Sequence, residues 1–228
     1  MKNYRLIQFT TALLLIGLLA GVSGCASHGY KTNERTAANL QSLATRIETS
    51  GRHMEVAVTE LDGLINSPQP DLRPQFSRFS DAVSQLNTLA TNLAKAEVEL
   101  QSRGKLHGEN LEQNLATIQN EDIRASAKAR KQEVATRFES VRTACGSVKT
   151  AVGPVCTDLS DVQRYLDKDL TLGGLNAIKD TATRVNRNAA PAQESVTKLV
   201  SELRALAVAM APQNGPAPTA APAPAPAK

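Results

Sequence analysis

Tryptophan is absent from this 228-residue chain, and aromatic residues make up 3 % of it, as three tyrosines and four phenylalanines. That leaves no platform on which nucleic-acid bases could stack. It also excludes a core built on large rings. Histidine is scarce too. His28, His53 and His107 lie in different segments, without the HxxxH or HxxH spacing that sets ligands on one helix face. A zinc site needs three or four convergent ligands, so neither a metal nor a cofactor is expected. There is no GxSxG elbow, no SxxK pair and no glycine-rich phosphate loop. A catalytic role is therefore not expected. Charge of one sign is lacking as well. The net charge is +4, and it falls to +2 once Lys2 and Arg5 of the N-terminal segment are set aside. Nothing in that balance calls for nucleic acid.

One long apolar run is present, and it is confined to the start. Lys2 and Arg5 precede a run from Thr11 to Val22, rich in leucine, and Ser23 and Gly24 then lead to Cys25. A spanning helix needs about 20 apolar residues, so this layout reads as a targeting segment. The site VSGC, residues 22–25, resembles the lipobox of bacterial lipoproteins, with Val22 where leucine is usual. The resemblance implies cleavage after residue 24, acylation of Cys25 with palmitate-type chains, and a mature protein that starts there. Ala26, not aspartate, follows the cysteine, which resembles the outer-membrane sorting pattern and implies an outer-membrane anchor; the periplasmic face is the expected one, and the sequence leaves the side of the membrane open. One acyl chain holds a protein only marginally, whereas several hold it firmly. The alternative is an ordinary secretory segment cleaved near Ala26 without lipid.

The far end is a different material. Residues 211–228 alternate alanine and proline, which favours an extended polyproline II spacer of roughly 50 Å over any packed structure. It is expected to be a disordered tail.

Between leader (25–33) and tail, residues 34–210 carry apolar positions spaced alternately by three and four. That is the seam of long helices packed in a bundle or coiled coil. Leu40, Leu43, Ile47, Ser50, Met54, Ala57, Leu61 and Leu64 predict a first helix over 34–66, ended by SPQP. Phe76, Phe79, Val83, Leu86, Ala90, Leu93, Glu97 and Leu100, continuing through Gly104 and His107 to Ile118, predict a second over 71–118. Phe138, Val141, Cys145, Val148, Val152, Val155, Leu159, Val162 and Leu166 place a third over 121–170, kinked at Pro154. Ile178, Ala182, Val185, Ala189, Ala192, Val196, Leu199, Leu203, Leu206 and Met210 place a fourth over 175–210, kinked or broken at Pro191. Short connections favour antiparallel neighbours. The expected fold is an elongated, all-α, antiparallel four-helix rod.

The phrase GPVCTDLSDVQRYLDKDLTLGGLNAIKDTATRV, residues 153–185, follows a run containing FESVRTACGSV. It resembles the C-terminal half of an uncharacterised bacterial family of envelope-associated helical proteins, a domain of unknown function (number 2959). The family has no assigned catalytic residues, so the resemblance implies helical architecture alone.

Two cysteines remain after Cys25. In a continuous helix Cys145 and Cys156 stand about 16 Å apart along the axis, too far for a disulfide. If the chain instead folds back at Gly153–Pro154, the two can bridge. A disulfide with a partner chain is a third option. Among polar residues, Glu97 at a seam position is a candidate to meet Arg103 or Arg137. Asn114, Asn186 and Asn188 are candidates for register-setting polar layers. Arg124, Lys128, Arg130, Lys131 and Arg137 surround one section of the third helix, as a candidate docking patch for an acidic partner or phospholipid headgroups.

The sequence thus points to a non-enzymatic envelope lipoprotein with a scaffolding or interaction role, bound to a membrane through its N-terminal lipid. Its expected partner is another envelope protein or its own copy. The competing expectation is a carrier that takes a lipid or another small hydrophobic ligand into a groove between amphipathic helices.

Overall fold

The computed structural model describes residues 29–212. Cys25, His28 and most of the Ala/Pro-rich tail lie outside them. Six helices follow one another: α1 Gly29–Asn66, α2 Arg73–Leu86, α3 Thr88–Thr117, α4 Glu121–Leu166, α5 Leu172–Ala177 and α6 Lys179–Met210. No strand occurs among the described residues. The helices stand in four columns, with α2 and α3 sharing one and α5 leading into α6. Column α1 packs against α6 and α2–α3, and α4 packs against α6 and α3. Direction alternates from column to column, giving an antiparallel bundle. The 46 residues of α4 make a rod about 69 Å long.

The three-and-four spacing explains the core. All eight expected positions of α1 and all nine of α4 are buried. On α6 the expected positions are buried apart from Ala189, which is partly covered. Each seam is a stripe along one helix face, and four such stripes meet inside the bundle.

Several boundaries and contacts differ from the sequence expectation. Helix α1 begins at Gly29, so the last part of the expected leader is helical. The expected second helix is divided at Asn87 into α2 and α3. There the Thr88 hydroxyl donates to the Gln85 carbonyl at 2.8 Å, a local bond that competes with the helical ladder. Asn92 and Thr88 also reach the buried Ser50 of α1, at 3.3 and 3.5 Å. In α3 the buried stripe runs through Leu89, Leu93, Ala96 and Leu100, while Ala90 and Glu97 face solvent. The larger Leu89 takes the core in place of Ala90.

Helices α4 and α6 run through Pro154 and Pro191 without a break. Each proline ring deprives the carbonyl four residues earlier of its partner. Pro154, Pro191, Thr150 and Arg187 are all exposed, so the freed carbonyls belong to residues on the solvent side. The fold-back at Gly153–Pro154 does not form, and Cys145 and Cys156 are both free thiols.

The SPQP connection is held from below. Gln75, 6 % exposed, accepts from the Gln69 N–H at 2.9 Å and donates to the Ser67 carbonyl at 3.0 Å. Asp71 accepts from the Arg73 N–H at 3.1 Å.

Candidate functional site

Past Leu100 on α3 and before Val134 on α4, no residue is fully buried. Among the described residues, two columns end there. Helix α1 starts at Gly29, and α6 ends at Met210. Beyond them α3 and α4 continue as a two-helix hairpin. Asn120 caps α4, accepting from the Ile123 N–H at 3.0 Å, and Arg124 donates to the Ile118 carbonyl at 3.0 and 2.6 Å. These bonds close the turn with little help from a core.

The five basic residues read as a patch all lie on this hairpin or at its base, but they do not form one bare surface. Arg130 and Arg137 share Glu133, at 2.6 and 3.0 Å. Their hydrogen bonds hold the Glu133 carboxyl below its ordinary range. Lys131 bridges to Glu112 of α3 and likewise lowers its pKa. Arg130 also donates to the Ala209 carbonyl at 2.6 Å, satisfying the C-terminus of α6 with a cation. Arg124 is spent on the turn carbonyl. Lys128 alone among the five has neither role.

At the base of the hairpin a cleft of about 280 Å³ opens between Tyr30 and Thr36 of α1, Arg103, His107 and Asn114 of α3, and Met210. Arg103 crosses it, pairing with Glu99 at 2.8 Å and donating to the Thr36 hydroxyl at 3.3 Å. His107 packs beside Phe138 with ring centres 6.4 Å apart. Its Nε2 is buried and has no hydrogen-bond partner. Burial, and then the nearby Arg130 charge, pull its pKa below the usual 6.5.

Two shallow grooves flank α6 higher up. The one against α4, about 630 Å³, is lined by Thr136, Glu139, Ser140, Ser147, Lys198 and Glu202 among others, and Ser140 donates across it to Glu202 at 2.8 Å. The one against α1, about 340 Å³, is bridged by Arg204 and Glu48 at 2.8 Å. On α3, Ala94, Val98 and Leu106 line a further open groove of about 670 Å³, with Val98 69 % and Leu106 54 % exposed.

The other sequence candidates are dispersed. Glu97 is exposed and pairs with neither Arg103 nor Arg137, which bind Glu99 and Glu133 instead. Asn186 reaches Asp62 of α1 at 3.3 Å, Asn114 is exposed, and Asn188 is partly covered. His53 is partly covered. Burial pushes the Cys145 thiol to about 12, with Glu97 and Glu202 adding to the effect, and pushes Cys156 to about 11. Neither is a thiolate at neutral pH. The residue missed in the sequence is Gln75. Ser50 is a seam position, but its partners Thr88 and Asn92 become visible only when columns meet.

Among the described residues no group of His, Cys, Asp and Glu is arranged to hold a metal, and no helix is long and apolar enough to cross a membrane. Comparison of the chain with protein-family models, with curated proteins and with solved structures finds no match.

Proposed function

We propose that this chain is a lipid-anchored envelope protein whose helical rod works by binding other proteins, not by catalysis. The anchor rests on the VSGC lipobox and its charged and apolar approach. The likeness of residues 153–185 to the uncharacterised helical envelope family belongs to the same proposal and adds no chemistry. The observation that carries the binding role is the way the core is filled. Leu43, Ile47, Leu61, Leu159, Leu199 and Leu203 are at most 1 % exposed. The apolar stripes face one another, and the grooves beside α6 are shallow and of mixed lining, with Glu139, Lys198, Glu202, Glu48, Arg52 and Arg204 set among Ala144, Val196 and Val200. Such surfaces suit a partner helix or loop better than an acyl chain.

Crosslinking in intact cells tests this. A discrete product with an envelope protein, or with a second copy, is expected from residues along α6 such as Lys198. Recovery of neither product counts against the proposal.

The carrier reading is favoured by one observation, the exposed Ala94, Val98 and Leu106 on α3. It predicts lipid that co-purifies with the protein and is lost on Val98→Asp. Mass spectrometry of extracted ligand separates the two readings, because the binding proposal expects none at stoichiometric level.

A further inference from the structure

The antiparallel order brings three things to one end of the rod. Gly29 starts α1 there, Met210 ends α6 there, and the α3–α4 hairpin projects beyond both. Arg130 is level with Ala209, so the nine residues back to Glu121 carry the hairpin about 14 Å past the end of α6. Cys25 stands four residues before Gly29, a reach of at most about 14 Å. A membrane that holds Cys25 is therefore within reach of the hairpin tip.

Charge divides along the same axis. Residues 29–36 and 103–137 carry nine basic and six acidic side chains, whereas residues 56–81 and 158–187 at the opposite end carry seven and nine. The excess at the hairpin end is modest, because Glu34, Glu121 and Asp122 form no ion pair among the described residues and Lys105 pairs with Glu109. Arg103, Arg130, Lys131 and Arg137 have carboxylate partners, but Lys31, Arg35, Arg124 and Lys128 form no ion pair among the described residues. The first turn of α4 also presents Ile123, 57 % exposed, next to Arg124. Ile123 follows the acidic pair Glu121 and Asp122, with Arg124 and Lys128 on its other side, and an exposed apolar side chain with cations at hand is suited to a headgroup layer.

The geometry points to the α3–α4 hairpin end as a contact surface for anionic phospholipid headgroups, so that the rod stands on the membrane by this end with α5 held away. This rests on the lipid-anchor reading for its setting but not for its chemistry. The recognition is by Lys31, Lys128 and their neighbours, and each cation at an anionic surface contributes about fivefold in affinity.

The test uses the full-length protein extracted from membranes and reconstituted into vesicles, either zwitterionic or containing about a third phosphatidylglycerol. An environment-sensitive probe is attached to Ile123→Cys or, at the opposite end, to Leu172→Cys, where the native leucine is 63 % exposed. Labelling is done at neutral pH, where Cys145 and Cys156 remain protonated. The expected result is a blue-shifted probe at 123, quenched by headgroup-labelled lipid in anionic vesicles only, and a silent probe at 172. Lys31→Glu with Lys128→Glu should abolish the signal at 123. A silent probe at 123, equal quenching at both sites, or a signal indifferent to lipid charge and to these substitutions overturns the inference. Intact mass of the same sample reports lipidation separately. A lipidated protein with a silent 123 keeps the anchor and removes the contact surface. An unlipidated protein with a responsive 123 does the reverse.

Discussion

Gly51 of α1 faces Val196 of α6 so closely that a β-carbon added to the glycine would sit 2.8 Å from Val196 Cγ1. Sequence reading treats a mid-helix glycine as a weak point, since glycine costs a helix about 1 kcal/mol relative to alanine. Here the glycine is what lets the two columns meet. Gly51→Ala is expected to destabilise the protein by roughly 1–3 kcal/mol through overpacking, despite the better propensity. Gly146→Ala, on the open face of α4 with nothing within 4 Å, should stabilise it by about 0.5–1 kcal/mol. Urea unfolding of the two variants measures both signs. Equal stabilisation would mean that α1 and α6 do not approach as described.

Gln75 is a position where one side chain holds a connection. Gln75→Ala leaves the Gln69 N–H and the Ser67 carbonyl without their partner. The expected loss is about 1–3 kcal/mol, with faster amide exchange at Gln69 than elsewhere in the bundle. Unchanged exchange at that amide contradicts the role.

His107 makes stability depend on pH. Its folded pKa lies below the ordinary 6.5, so the unfolded chain takes up the proton first. The stability that neutral His107 contributes is present above about pH 6.5 and is lost as pH falls through the depressed folded value. The carboxylates of Glu112 and Glu133, held low by their cations, lose their contribution at more acid pH. Melting temperature followed from about pH 7.5 to 5 isolates the histidine. The fall in that window should be smaller in His107→Leu than in the native chain. Identical profiles would remove His107 from the account.

The thiols offer a fourth check. Cys145 and Cys156 should resist alkylation at neutral pH in the folded protein and react at once in denaturant, since burial raises both. Rapid labelling of Cys145 in the native chain contradicts its burial, whereas the partly covered Cys156 is the one expected to react first.

How far the sequence foretells this structure varies by column. Leu40 to Leu64 and Phe138 to Leu166 are legible because the strict spacing admits one buried face. In α3 the spacing admits two, through Leu89 and Ala96 or through Ala90 and Glu97, and only side-chain size distinguishes them. The continuity of α4 across Pro154 depends on the ring facing solvent, which the flanking seam residues Val152 and Val155 already imply. The partners of Arg130, Lys131 and Arg137 are not legible, because ion pairs across columns depend on axial register. Nor is the bare hairpin tip. Its periodicity continues past the point where α1 and α6 can cover it.

Intact mass of the protein extracted from membranes, with and without reductant, tests the central claim most directly. The account predicts a chain beginning at Cys25, heavier by a diacylglycerol and an amide-linked acyl chain, and unchanged by reduction. A chain that retains residues 1–24 with an unmodified Cys25, or one cleaved near Ala26 without lipid, would contradict it.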